Sequence, residues 1–179
     1  MHMPMVPLYK CHAPLAFTAW RLDRLKHAST WDTGIGASLA AGRWNHEGRT
    51  VVYASADPAT ALMEVAVHVS FAVLDSTPYV LSNFVIDDPS RIHVIFPEDI
   101  PNPNWLRAGP ATQQQRDFGH SLLDAHAFVA LPSTVSQPSW NIIFDPLSAH
   151  FSSGNGWSLH QQKRFGLDTR LALASSGAA

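Results

Sequence analysis

Gly42-Arg43-Trp44-Asn45-His46-Glu47-Gly48-Arg49-Thr50-Val51-Val52-Tyr53-Ala54-Ser55-Ala56-Asp57-Pro58 is the stretch on which the fold turns. Its first half is bounded by glycines and polar, which reads as a loop. From Arg49 to Ser55 the residues alternate around Val51, Tyr53 and Ser55, the two-residue period of a strand. Asp57-Pro58 then opens a helix. Aspartate is a favoured N-cap, and proline suits the first helical position because its missing N–H is not needed there. Ala61, Leu62, Val65, Ala66 and Val69 keep helical spacing, so the helix is expected to run to about Val69. Glu64 lies among these apolar residues, and a carboxylate in such company needs a partner.

Working outward, the segment from Leu15 to Arg24 holds an early strand around Trp20–Leu22, and Ser29 to Gly42 reads as a loop with Gly34, Gly36 and Gly42. Downstream, Tyr79 to Ile86 and Arg91 to Phe96 read as strands, with turn chemistry at Asp87-Asp88-Pro89. Pro97 to Pro110 contains four prolines and is expected to be a loop. Thr112 to Ala125 predicts a second helix, and Ala127 to Leu131 and Trp140 to Phe144 predict short buried strands. Phe151 to Trp157 reads as a loop and Phe165 to Leu171 as a last strand. The sum is a strand-rich α+β chain in one domain. Residues 1–14 form an N-terminal extension, 15–171 the domain, and 172–179 a small, polar tail expected to fray.

A chain of 179 residues is enough for one compact core and rarely for two. Its 46% hydrophobic and 15% charged residues exclude a disordered protein. Six Trp and nine Phe suit a filled core or a pocket that stacks a flat ligand. A net charge of −2, with no Lys/Arg block, argues against direct nucleic-acid binding. The lone Cys11 cannot close an internal disulfide, which points to a reducing compartment. The start lacks the apolar core of a signal peptide, and no apolar run approaches the roughly 18–20 residues of a membrane span. A soluble, cytoplasmic protein is expected.

The common catalytic signatures are absent. Ten histidines invite a metal, but no HExxH pattern and no cysteine pair occur, so no metal site is expected. Gly36-Ala37-Ser38-Leu39-Ala40 lacks the second glycine of a hydrolase elbow. Gly34 and Gly36 begin a dinucleotide fingerprint that is not completed, and no P-loop is present.

What remains is an ordered set of motifs: Trp20-Arg21-Leu22, Gly42-Arg43-Trp44-Asn45, Val51-Val52-Tyr53-Ala54, and Leu62-Met63-Glu64-Val65 with His68. In the second half follow Leu131-Pro132-Ser133-Thr134-Val135, Asn141-Ile142-Ile143-Phe144-Asp145-Pro146 and Phe165-Gly166-Leu167-Asp168-Thr169-Arg170-Leu171. In order and spacing this set resembles the RES-domain toxins of bacterial toxin–antitoxin pairs, over roughly residues 18 to 171. Asp145 departs from the pattern, which usually has asparagine there.

The resemblance implies an ADP-ribosyltransferase-like mixed β-sheet core with flanking helices. It implies NAD as substrate, cleaved at the nicotinamide–ribose bond, with ADP-ribose passed to water, phosphate or a protein. Arg21, Tyr53 and Glu64 then carry the catalysis. Glu64 stabilises positive charge on the ribose, Arg21 clamps the pyrophosphate, and Tyr53 packs on the nicotinamide ring. Ser133 bonds the ligand or orients Arg21, and Arg43 and Asn45 stand on the pocket rim. A cognate antitoxin, often of helix-turn-helix type, is the implied partner. A homodimer is compatible with the family, and no residue fixes it.

Taken singly, each of these residues has an ordinary explanation. Arg21 could be a structural ion pair, Tyr53 a core residue, and Ser133 the end of a strand. Glu64 could pair with His68 one helical turn on. Two rival readings therefore stay open: a nucleotide-binding module of the same fold without catalysis, and a metal-dependent hydrolase using the histidines.

Overall fold

The computed structural model describes residues 16–168 and 170. Strand β1 (Phe17–Arg24) is followed by helix α1 (Ile35–Leu39), strand β2 (Val52–Ser55), and helices α2 (Pro58–Ala66) and α3 (Phe71–Ser76). Then come β3 (Tyr79–Ile86), β4 (Ile92–Val94), helix α4 (Gln113–Ala125), β5 (Phe128–Pro132), β6 (Trp140–Phe144) and β7 (Trp157–Phe165). The strands form one seven-stranded sheet in the order β4-β5-β6-β2-β1-β3-β7. Only β4 and β5 run parallel; the other neighbours are antiparallel. This is the mixed α+β architecture expected.

Side-chain alternation builds a core on each face. Phe128 and Ala130 of β5 enter one cluster with Ile142 and Phe144 of β6, together with Phe84, Phe151 and Trp157. Val129, Leu131 and Ile143 enter the opposite cluster with Trp44, Ile100, Trp105, Leu122 and Leu123. Because both faces are covered, β5 and β6 are buried throughout, which explains their uninterrupted apolar runs. Trp31, Trp44, Trp105, Trp140 and Trp157 are all buried, so most of the tryptophans fill the core.

The expected cap at Asp57 is present, and Thr112 caps the second long helix as well. Asp57 accepts from Thr60 N at the start of α2 at 2.8 Å, and Thr112 accepts from Gln115 N at the start of α4 at 3.2 Å. Helix α2 ends at Ala66, short of Val69, and its backbone bonds continue to Val69 as a turn. The first strand is longer than Trp20–Leu22. Two short helices have no counterpart in the sequence expectation: α1 lies inside the expected Ser29–Gly42 loop, and Ser70 caps α3.

One expectation is overturned. The last strand is not Phe165–Leu171 but β7, ending at Phe165. Strand β7 lies at the sheet edge and is mostly exposed beyond Trp157. Backbone pairing with β3, from Tyr79 opposite Phe165 to Ile86 opposite Trp157, holds it in place. An edge strand of this kind needs no apolar alternation, so Gln161-Gln162-Lys163-Arg164 gave no strand signal. The extension 1–14, the tail 172–179, Thr169 and Leu171 lie outside the described residues.

Candidate active site

The carboxylate singled out in the sequence is held from two sides. Glu64 projects from α2, two turns beyond the Asp57 cap. Its Oε1 accepts from Ser133 Oγ at 2.9 Å and from the amide nitrogen of Asn141. No donor among the described residues is paired with Oε2. His68, one helical turn on, makes no bond to it, so the ordinary reading of Glu64 as half of a helix-face pair is not met. Ser133 is wholly buried at the end of β5, and its oxygen accepts from Val135 N at 3.2 Å and Ser136 N at 3.0 Å. A serine that receives two N–H bonds must direct its own proton elsewhere, and here that is Glu64.

Asn141 stands on β6 opposite Ser55 of β2. The Ser55 hydroxyl donates to Asn141 Oδ1 at 2.9 Å, which turns the amide nitrogen toward Glu64. Sequence reasoning placed Asn141 in a motif and gave it no role. Its signal was a polar residue in an otherwise apolar buried strand. Ser139, in the connection from β5 to β6, donates to Asp57. The N-terminus of α2 is thereby tied to the hairpin that carries both donors to Glu64. Burial pushes the Asp57 carboxyl up, but the bonds from Ser139 and Thr60 outweigh it and hold the group below the ordinary aspartate range.

Tyr53 and the Gly42–Asn45 turn form the next wall. The Tyr53 hydroxyl donates to Asn45 Oδ1 at 2.8 Å and accepts from Trp44 N at 3.2 Å. Burial raises the phenol well above its ordinary value, so it stays neutral. Asn45 is fully buried, and its amide also binds Ala37 O, His46 O and Gly42 N. Every hydrogen-bonding position of that amide is used inside the protein. Asn45 therefore holds the turn and does not stand on a pocket rim, which corrects the sequence expectation.

Arg43, half-buried in the same turn, donates to Trp105 O at 3.1 Å and to Arg107 O at 3.5 Å. Burial lowers its pKa, while the nearby Glu64 carboxylate and Tyr53 act in the opposite direction. Arg43 is thus within electrostatic reach of Glu64. Arg116, which the sequence did not flag, donates to Gly42 O at 3.2 Å and adds a second guanidinium near Tyr53.

Arg21 is placed differently. Strand β1 meets β2 at the single register pair Trp20–Ser55. Trp20 therefore shares the Ser55 side of the sheet, and Arg21 starts from the other. Its guanidinium is bidentate to Asp23, at 2.8 and 2.7 Å, and donates to Tyr53 O at 2.7 Å. These bonds use three of its five N–H groups. No bond joins Arg21 to Glu64, Ser133 or Arg43. Ser133 does not orient Arg21; it orients Glu64. The structure brings together Arg43, Tyr53, Glu64 and Ser133, and connects Arg21 to them through the Tyr53 carbonyl.

The departure at Asp145 has a structural explanation. Its carboxylate pairs with Arg49 Nε at 3.0 Å and accepts from Thr50 Oγ1 at 2.7 Å, closing the end of β6 against the start of β2. A depression of about 420 Å³ lies at the β4–β5 edge, lined by Arg91, His93, His126 and His150. It contains none of the motif residues, so the chemistry at Glu64 outweighs its volume. Among the described residues no group of three or more His, Cys, Asp or Glu is arranged to hold a metal ion. No helix among them is long and apolar enough to cross a membrane.

The RES domain model matches residues 18–160, a span that includes every residue of this cluster. The chain belongs to the RES-domain family. Among the relatives of this RES protein is "Toxin Res" of Photorhabdus laumondii, 30% identical over 87% of this chain and 97% of that one. Another is the "Prs ADP-ribosylating toxin" of a Sphingobium species, 28% identical over 71% of this chain and 81% of that one. In three dimensions it resembles a chain of the M. tuberculosis MbcT–MbcA toxin–antitoxin complex. The TM-score is 0.66 at 16% identity, covering 88% of this chain and 90% of that chain. That likeness supports the fold: a RES-type mixed sheet with few helices.

Proposed function

We propose that this RES protein is the toxin of a toxin–antitoxin pair and that it cleaves the nicotinamide–ribose bond of NAD. The observation that carries the reading is the Glu64 carboxylate, fixed at Oε1 by Ser133 and Asn141. Its Oε2 is left for a ligand. Its membership of the family and the toxin names of its relatives support the same conclusion.

The reaction asks little of the leaving group. The glycosidic electrons move onto the pyridinium nitrogen, and nicotinamide departs neutral. Positive charge then develops on the ribose, where a preorganised carboxylate stabilises it. Oε2 of Glu64 faces that charge or binds the ribose hydroxyls. An acceptor oxygen then bonds to C1′ and loses its proton. Water, phosphate and a protein side chain all satisfy this scheme. Tyr53 walls the site, and Arg21, held by Asp23, backs that wall through its bond to the Tyr53 carbonyl. The scheme needs no metal, so a chelator is expected to leave activity unchanged. A cognate antitoxin of helix-turn-helix type, acting in the cytoplasm, is the partner this reading requires.

The test is nicotinamide release from NAD by the purified, antitoxin-free protein and by Glu64→Gln. Release that falls by about two to three orders of magnitude in a folded Glu64→Gln variant is the expected result. Full activity in that variant would remove Glu64 from the chemistry. Tight NAD binding without release, under several acceptor conditions, would favour a binding module.

A further inference from the structure

A second concavity adjoins the site through Arg43. It is a cleft of about 230 Å³ lined by Arg43, Asn102, Asn104, Arg107, Thr112 and Gln115. Its walls come from the proline-rich loop after β4 and from the N-terminus of α4, neither of which carries a motif of the family. No acidic side chain lines it.

We propose that this cleft binds a phosphate-type anion. Gln115 is only 4% exposed, and its Nε2 has no partner among the described residues. A buried amide donor without an acceptor is costly, and the group that satisfies it must bring oxygen lone pairs. Two guanidinium groups, Arg43 and Arg107, border the same space, and Arg107 forms no ion pair among the described residues. The thirteen-residue α4 begins here, and its first N–H groups add positive potential. Donors and positive charge converge, so an anion with several oxygens fits and a cation does not. The volume is below the roughly 300–1,000 Å³ of pockets that enclose a whole drug-sized ligand. The cleft therefore takes a phosphate or diphosphate group and not an entire dinucleotide.

That anion has two sources: the diphosphate of the dinucleotide substrate, or phosphate free in solution. Both rest on the NAD-cleaving reading for their purpose, but the binding itself is testable without it. Inorganic phosphate and pyrophosphate would be titrated against the full-length protein by calorimetry. Saturable binding is expected, weakened about tenfold or more by Arg107→Ala and by Gln115→Leu, and unchanged by Lys163→Ala on the outer strand. Absence of saturable binding, or unchanged affinity in Arg107→Ala, overturns the site. Arg107 is exposed, so that variant decides the question even if Gln115→Leu does not fold.

Nicotinamide release then separates the sources. If the cleft holds the substrate's own diphosphate, Arg107→Ala raises KM for NAD and leaves kcat within about twofold. If it holds free phosphate, KM for NAD is unchanged and the dependence of release on phosphate shifts to higher concentration. A protein that binds the anions but never cleaves NAD would sink the enzyme reading and leave the cleft standing. Cleavage by a protein that binds neither anion would do the reverse.

Discussion

Ser133 donates its hydroxyl to Glu64 at 2.9 Å, and that bond joins the end of β5 to the face of α2. The serine is wholly buried and also receives the Val135 and Ser136 N–H groups. One side chain thus closes a turn and aims a carboxylate. Ser133→Ala leaves two backbone donors unpaired and Glu64 held by Asn141 alone. A loss of about 1–3 kcal/mol in unfolding free energy is expected. A fall in kcat larger than any change in KM should accompany it. Denaturant melts and steady-state nicotinamide release check both. A variant that loses stability but keeps kcat would reduce Ser133 to a turn residue.

Asn45 makes the opposite prediction. Its amide is buried and fully bonded, to Gly42, His46 and Tyr53 of the turn and to Ala37 O before it. Asn45→Ala strands several partners at once and should cost about 2–5 kcal/mol. A ligand-binding residue would instead raise KM at unchanged melting temperature, so the pair of measurements separates the two roles.

Gly119 of α4 packs directly on the backbone of Trp44. A methyl group there meets the Trp44 carbonyl oxygen and Cα, which have no rotamer to escape into. Gly119→Ala gains about 1 kcal/mol of helix propensity. It is still expected to lower stability by about 1–3 kcal/mol, because the helix must move off the turn. A stabilised variant in a thermal melt would contradict this packing.

The stacked rings of His93 and His126, 3.7 Å apart and 8° from parallel, set a pH dependence. Burial, then His93 and His150, lower the pKa of His126. The unfolded chain therefore takes up a proton, near the ordinary histidine value of about 6.5, that the folded chain refuses. Stability is fully present above that pH and declines as the pH falls toward the lowered folded value. His93→Phe keeps a ring in the stack but removes one charge. Its melting temperature should fall less than that of the wild type between neutral and mildly acidic pH. Parallel curves would assign the depression to burial alone.

The sequence determined what is local. The apolar runs of β5 and β6, the Asp57 cap, and the strand–helix succession around Tyr53 all act within a few residues, so they were legible as written. The ordered motifs also point to Arg21, Arg43, Asn45, Tyr53, Glu64 and Ser133.

The tertiary structure decided which of these residues meet. Glu64 finds its donors 69 and 77 positions away, and only the register of β2 on β6 and the closing of the β5–β6 hairpin bring them there. It also separated Arg21 from that cluster, withdrew Asn45 into the turn, and built β7 from polar residues. Periodicity and capping are properties of neighbouring residues along the chain. Hydrogen-bond partners across strands, and the burial of an amide or an edge, depend on how distant segments pack. No local pattern encodes that.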